Sequence, residues 1–445
     1  MRRIREEDAG AARPGGGTRT GEMIAAGGRS GSSTVDATLS APGAIADVGH
    51  GALLPGLPLG VYVHFPYCGV RCPYCDFAVE VAAEVPHDAY ADAVVAEIAA
   101  RRAWFADAAA LVSIYFGGGT PGLWRPSALG RVVAAVRAAF GDPDAAALEI
   151  TVEANPGEID AAALGALRVA GVNRLSLGLQ ALDDRLLRAL GRNHDAAAGP
   201  AAVAAARAAG FDNLSIDLMF GVPGQTEDDW KRAVDAALAL RPEHVSAYAL
   251  TIERGTPFGS LARAGRLPRP DDEATAAMFE WARAALSAAG IDQYEISSYA
   301  RPGRRARHNG LYWAGAPYLG VGASASSFRP LANGSGWRFA NPRATATYLA
   351  SAKGGGGSPR PVHVERRSRS DLENEALWLR LRTTEGVDRA AHAARYGRDP
   401  LDGRVWAVQG CVTAGWLRVD DARLTLTPQG LLFADEVATR LWFDR

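Results

Sequence analysis

The segment Val61–Phe77, VYVHFPYCGVRCPYCDF, decides how the rest of the chain is read. It carries Cys68, Cys72 and Cys75, three of the four cysteines; the fourth, Cys411, lies far downstream. An apolar run feeds directly into a loop shaped by Gly69 and Pro73. Thiols this crowded are soft ligands, suited to zinc, copper(I) or iron–sulfur clusters. Structural zinc wants four ligands in a closed tetrahedron, and His64 is the candidate fourth. Three cysteines on one loop can instead hold three irons of a 4Fe–4S cluster, leaving the fourth iron open to a small molecule. Three unrelated buried cysteines are the bland alternative. That reading and zinc both leave the downstream motifs without explanation.

Outward from this loop the chain alternates. Short apolar runs (GVYVHF, LVSIYF, LEITVEA, RLSLGL, NLSIDLMF, HVSAYAL) read as buried strands. Ala- and Leu-rich amphipathic segments separate them, several closing on Gly as helices do. Repeated βα units predict a parallel sheet with right-handed crossovers. Their number predicts an α/β fold, a partial (β/α)6 TIM-like barrel. A helix is expected near 271–289, then a strand YEISSYA and an irregular stretch over 301–327. Residues 1–55, rich in Gly, Ala, Ser and Thr, read as a disordered extension. The barrel is expected over 56–350, and the run of glycines in 351–361 reads as a linker. Residues 362–445 show helical patterns, then a hairpin and a helix: a small C-terminal α/β domain, winged-helix-like.

Composition excludes several classes. With 48% hydrophobic and 22% charged residues among 445, and a net charge of −1, the chain reads as globular, without the basic excess of a nucleic-acid grip. No stretch approaches the roughly 20 apolar residues of a membrane span, and no apolar segment follows the early arginines as in a signal peptide. Few cysteines, mostly crowded, predict no disulfide scaffold and a reducing cytoplasm.

In parallel barrels the working groups gather at the C-terminal ends of the strands. IYFGGGTP ends in Gly117, Gly118, Gly119 and Thr120, where the backbone can approach a ligand closely. TVEANP brings Glu153 and Asn155, and a carboxylate there suits a sulfonium or ammonium partner; an exposed strand-end Glu is the bland alternative. Gln180 ends RLSLGLQ, and Arg192 follows in LGRNH. Asp217 sits inside an apolar run, where a charge is costly unless paired.

Cys-x3-Cys-x2-Cys with Tyr74 before the last cysteine resembles the hallmark of the radical S-adenosylmethionine superfamily. The resemblance implies that S-adenosylmethionine chelates the open iron through its amino and carboxylate groups. Reductive cleavage then gives methionine and a 5′-deoxyadenosyl radical. The segments YVHFPYC, GGGTP, EANP, GVNRLSLGLQ, LGRNH and DLMFGVPGQT are similar to the oxygen-independent coproporphyrinogen oxidase-like group, which includes HemW-type haem chaperones. The match covers most of residues 58–330. By position it implies contacts to S-adenosylmethionine from Tyr62, Gly118, Gly119, Thr120, Glu153, Gln180, Arg192 and Asp217.

Two features separate the relatives. The decarboxylases carry another cysteine two residues past the last ligand, where this chain has Phe77. HNGLYW, His308–Trp313, matches the HNxxYW pattern of the chaperones and implicates His308, Asn309, Tyr312 and Trp313 in haem binding. Imidazole is a common axial ligand and aromatic rings can cover a porphyrin, although a histidine beside aromatics is more often structural. Cys411 and His194 are the other candidate ligands. The expectation is a haem chaperone that binds a 4Fe–4S cluster, S-adenosylmethionine and haem. It would deliver haem to acceptor proteins, membrane respiratory enzymes among them, with an electron donor if the cluster is reduced. The alternative is oxidative decarboxylation of coproporphyrinogen III. A third reading is the same barrel with an unrelated substrate.

Overall fold

The computed structural model describes residues 48–141, 147–353 and 360–442. Residues 1–47 of the expected extension and 354–359 of the Gly-rich stretch lie outside the described residues. Six strands, β1 (Leu59–Phe65), β2 (Leu111–Gly118), β3 (Glu149–Ala154), β4 (Arg174–Gln180), β5 (Leu214–Phe220) and β6 (His244–Ala249), stand side by side in chain order, all parallel. Helices connect them, as the alternating pattern predicts. Side-chain caps mark several starts. Asp160 accepts from Ala163 N, Asp271 from Ala274 N, and Thr226 forms a reciprocal capping box with Asp229.

Each strand has two unlike faces. Val61, Val63, Ile114, Phe116, Ile150, Val152, Leu175, Leu177, Ile216 and Leu218 bury into the main core with the helices. The alternate positions, His64, Tyr115, Glu153, Ser176, Asp217 and Ser246, face a cavity inside the sheet's curve. Side chains on a strand point alternately to its two faces, so the period-2 polar residues inside the apolar runs are the lining of the barrel. Each fully buried aliphatic chain on the outer face contributes about 1.5–3 kcal/mol.

The sheet extends beyond the six strands. The stretch YEISSYA, expected as one strand, is a turn between two short ones. β7 (Asp292–Glu295) and β8 (Ser298–Ala300) pair antiparallel, and β8 lies against β6. The Glu295 carboxylate accepts from Ser297 N and stabilises the reversal. On the other side β9 (Tyr318–Val321) runs parallel to β1, followed by antiparallel β10 (Ser326–Pro330), β11 (Gly336–Ala340) and β12 (His363–Arg367). β12 therefore joins the main sheet although it follows the Gly-rich stretch. Val48 and Leu53 are buried in the main core as well. A second small sheet, β13 (Val387–Asp388), β14 (Leu417–Val419) and β15 (Arg423–Leu426), packs with the helices at 369–381, 405–413 and 434–440 around a separate core. Cys411 is fully buried in that core.

A buried charge network ties the helix His87–Arg101 to the strands added beside β1. Glu97 accepts from Gly322 N (3.0 Å), Asn341 Nδ2 (2.7 Å) and Tyr348 Oη (2.7 Å), and it pairs with Arg101. Both charged groups are essentially inaccessible to water. Removing one partner of such a pair strands the other charge. Glu97→Ala is therefore expected to destabilise the barrel by about 3–5 kcal/mol, seen as a lower denaturant midpoint, with Glu97→Gln closer to wild type. Equal midpoints for Glu97→Ala and wild type would show that the network carries little.

Candidate functional site

β1 runs straight into the cysteine loop, and backbone hydrogen bonds pin that loop at several points. Gly119 N donates to Phe65 O (2.7 Å), Thr120 N to Tyr67 O (2.8 Å), Cys68 N to Glu80 O (3.0 Å) and Phe258 N to Pro73 O (3.0 Å). The Gly-rich turn must lie flat against the loop. A Cβ on Gly119 would stand 2.5 Å from Tyr67 O. Gly118 has φ +112°, and a Cβ there would meet the His64 ring at 2.4 Å. These two positions demand glycine on grounds of space and backbone conformation.

Cys68, Cys72 and Cys75 are free thiols, and all three line one cavity of about 770 Å³. Among the described residues no three His, Cys, Asp or Glu side chains converge on a single-ion site. His64 cannot serve as a fourth zinc ligand without giving up one of its buried hydrogen bonds, to Tyr62 Oη (3.1 Å) at Nδ1 or to Ala78 O (3.1 Å) at Nε2. Burial holds its imidazole neutral, with a pKa lowered to about 4. The donor set fits a cluster better: three soft donors on one loop, facing a cavity, each with a different neighbour. Burial raises the Cys68 thiol to about 11 and raises Cys75 too, so loading metal must displace protons.

A belt of side chains links two of the thiols. Thr120 Oγ1 lies 3.6 Å from Cys68 Sγ and accepts from Asn155 Nδ2 (3.0 Å); Asn155 Oδ1 accepts from Arg192 Nη2 (2.6 Å); Arg192 Nη1 lies 3.7 Å from Cys72 Sγ. The ends of β2 and β3 and the segment after β4 thus meet at the loop. Hydrogen bonds to sulfur tune a cluster's potential.

Of the eight residues expected to contact the small molecule, seven line the cavity: Gly118, Gly119, Thr120, Glu153, Gln180, Arg192 and Asp217. Tyr62 does not line it. Its ring is buried beside Tyr115, 6.2 Å between centroids, and its hydroxyl bonds His64. Glu153 accepts from Tyr115 Oη (2.6 Å) and Gly118 N (3.3 Å). Burial nevertheless raises its pKa to about 7. Asp217 accepts from Ser176 Oγ (3.1 Å to each oxygen), and burial raises its pKa as well. Gln180 adopts φ +64° and accepts from Tyr248 Oη (2.8 Å). A non-glycine residue in that conformation is held there by its surroundings.

Asn155, named from the sequence without a contact of its own, closes the belt between Thr120 and Arg192. One site residue was not singled out from the sequence. Arg174 faces the cavity nearly inaccessible, with Nε and Nη2 lacking hydrogen-bond partners and Glu149 4.0 Å away. Both lie in motifs quoted above, EANP and GVNRLSLGLQ, and the alternation of strand faces was the available signal.

The HNGLYW segment forms a short helix, Arg307–Trp313, under the N-terminal ends of β1 and β2. Glu149 caps it, accepting from Arg307 N and His308 N. His308 is 1% exposed, and its two ring nitrogens are engaged by Ser113 Oγ (2.8 Å) and Tyr312 Oη (2.9 Å). Of the four residues implicated in haem binding only Asn309 lines the cavity; Tyr312 packs edge-on against Tyr318, and Trp313 is buried with Arg382 over its ring. Cys411 and His194 do not line it either.

Residues 62–237 match the Radical SAM superfamily, and residues 368–433 match the HemN C-terminal domain. The protein named heme chaperone HemW from Mycobacterium tuberculosis is 36% identical over 395 residues, covering 88% of this chain and 96% of that protein. The Bacillus subtilis protein of the same name is also 36% identical, covering 84% of this chain and 97% of its own length. A solved structure, coproporphyrinogen III oxidase (HemN) from Escherichia coli, shares the fold with a TM-score of 0.75 at 22% identity, covering 90% of this chain and 93% of that one. The fold and the thiol loop are those of a radical S-adenosylmethionine protein, and the chain belongs to the HemW family within that superfamily.

The raised Glu153 pKa has a consequence for stability. The folded protein holds a proton there between the ordinary value of 4.5 and about 7. Its contribution is present in acid and is lost as pH rises through about 7. Relative to Glu153→Gln, the ligand-free wild type should lose on the order of 2 kcal/mol between about pH 5 and about pH 8. Denaturant titrations at both pH values measure this. A difference that does not change with pH would place the Glu153 pKa near its ordinary value.

Proposed function

We propose that the protein is a haem chaperone that holds a 4Fe–4S cluster on Cys68, Cys72 and Cys75, binds S-adenosylmethionine in the barrel, and passes haem to acceptor proteins. The observation that carries this reading is Phe77. Where the decarboxylases of the resembling group are expected to place a further cysteine, this chain has a 46% exposed phenylalanine on the cavity wall. The relatives named heme chaperone HemW, which cover most of their own length in the match, support the same reading.

When bound, the cluster and S-adenosylmethionine supply one-electron bond-cleavage chemistry. The chain's own groups account for holding them. The flat Gly118–Gly119 backbone admits a ligand against the thiol loop. Glu153, as a carboxylate, faces a cationic ligand from the end of β3, and a cation beside it would draw its pKa down. Gln180 and Asp217 offer hydrogen-bond partners further along the cavity. Apolar Phe77 and Val79 on the wall suit the face of a porphyrin.

Among the described residues no helix is long and apolar enough to cross a membrane. A cytoplasmic protein that meets membrane respiratory acceptors at the surface is part of this proposal, as is an electron donor for the cluster. No nucleic-acid partner is proposed. The alternative, oxygen-independent coproporphyrinogen III oxidation, is favoured only by the fold shared with HemN.

Cys72→Ser is expected to abolish the broad visible absorbance of the reconstituted cluster. Full absorbance in that variant would overturn the ligand assignment. Anaerobic, cluster-loaded protein should take up hemin with a Soret shift and should form no protoporphyrinogen from coproporphyrinogen with S-adenosylmethionine and a reductant. Turnover without hemin uptake would replace the chaperone by the oxidase.

A further inference from the structure

We propose that His363 is the axial ligand of the haem, which sits at the mouth of the cavity between the cysteine loop and β12. This deepens the haem reading above and rests on it.

Three histidines line the cavity: His64, His244 and His363. Two are spoken for. His64 is 3% exposed and bonded at both nitrogens. His244 is 1% exposed, held by Ser215 Oγ (2.8 Å) and Tyr294 Oη (2.8 Å). His308 lies outside the cavity with both nitrogens engaged. Ligation through either nitrogen of any of these would break a buried hydrogen bond and leave its partner unpaired, at about 1–3 kcal/mol. His363 is exposed on the cavity wall, and among the described residues no hydrogen bond is made to its ring.

The surroundings of His363 complete the chemistry. It pairs in register with Ala340 of β11, which lines the same wall, and Arg343 follows a few residues on. Arg343 Nη2 donates to Asp76 O (2.8 Å), holding the cysteine loop against this side of the barrel. The guanidinium also pairs with the Asp76 carboxylate at 3.9 Å, and its side chain remains 57% exposed. The next loop residue is Phe77, a large apolar side chain left uncovered at the opening. One opening therefore presents an imidazole, an apolar surface and a cation. A haem carries the matching three features: an iron with open axial positions, a flat apolar macrocycle and anionic propionates. A single ligand on an exposed strand, open to water, also suits a protein that must release its cargo.

The test is hemin titration of the full cluster-loaded chain, followed by optical and resonance Raman spectra. His363→Ala should weaken binding about tenfold and remove the imidazole-ligation signature, and added imidazole should restore that signature. His87→Ala, on the outer helix, serves as the control and should behave as wild type. Arg343→Gln should weaken hemin binding but leave hemin dimethyl ester, which lacks free propionates, unchanged. If wild type binds hemin with an imidazole signature that His363→Ala retains at equal affinity, the assignment fails while the chaperone reading stands. If wild type binds no hemin, the chaperone reading itself fails.

Discussion

Two backbone hydrogen bonds, from Gly119 N to Phe65 O and from Thr120 N to Tyr67 O, fix the distance between the cysteine loop and the end of β2. Everything at the site is placed relative to that contact. It sets the side-chain-free backbone of Gly118 and Gly119 against the thiols. It brings Thr120 within reach of Cys68 and lets Asn155 and Arg192 complete the belt to Cys72. A side chain at Gly119 would collide with main-chain carbonyls that cannot rotate away. The loop and the turn thus form one unit built from residues about fifty positions apart.

The barrel pays for this site with a polar interior. Glu153, Asp217 and Arg174 face the cavity on the same strands whose other faces are wholly apolar. Burial raises the pKa of both acids, and hydroxyl donors from Tyr115 and Ser176 bond their carboxyl oxygens in the ligand-free interior. A cationic ligand beside Glu153 would reverse that balance. The helix Arg307–Trp313 shuts the opposite end, with His308 stacked on Tyr115 at 5.1 Å and Glu149 at its N-terminus. The aromatic motif expected to meet haem is, in the fold, the plug of the barrel.

Much of this was legible in the linear sequence. The three-cysteine loop, the six βα units and the strand-end motifs are local signals, set by side-chain periodicity and by residues a few positions apart. They placed the parallel strands, and seven of the eight residues expected to contact S-adenosylmethionine line the cavity. Local signals failed where the outcome depended on a distant partner. YEISSYA carries strand-forming residues throughout, yet the Glu295 contact to Ser297 N and the register against β6 divide it in two. No sequence motif marks His363; pairing with Ala340 carries it to the cavity.

By itself, then, the sequence determined the family, the three-cysteine loop and the barrel, because thiol spacing, alternation and turn glycines act over short range. Only the tertiary structure decided which faces of the strands line the cavity, that His308 is buried and fully bonded, and that Phe77, Arg343 and His363 share one opening. Those facts follow from sheet register and from which hydrogen-bonding groups find partners on folding, and neither is encoded within any single segment.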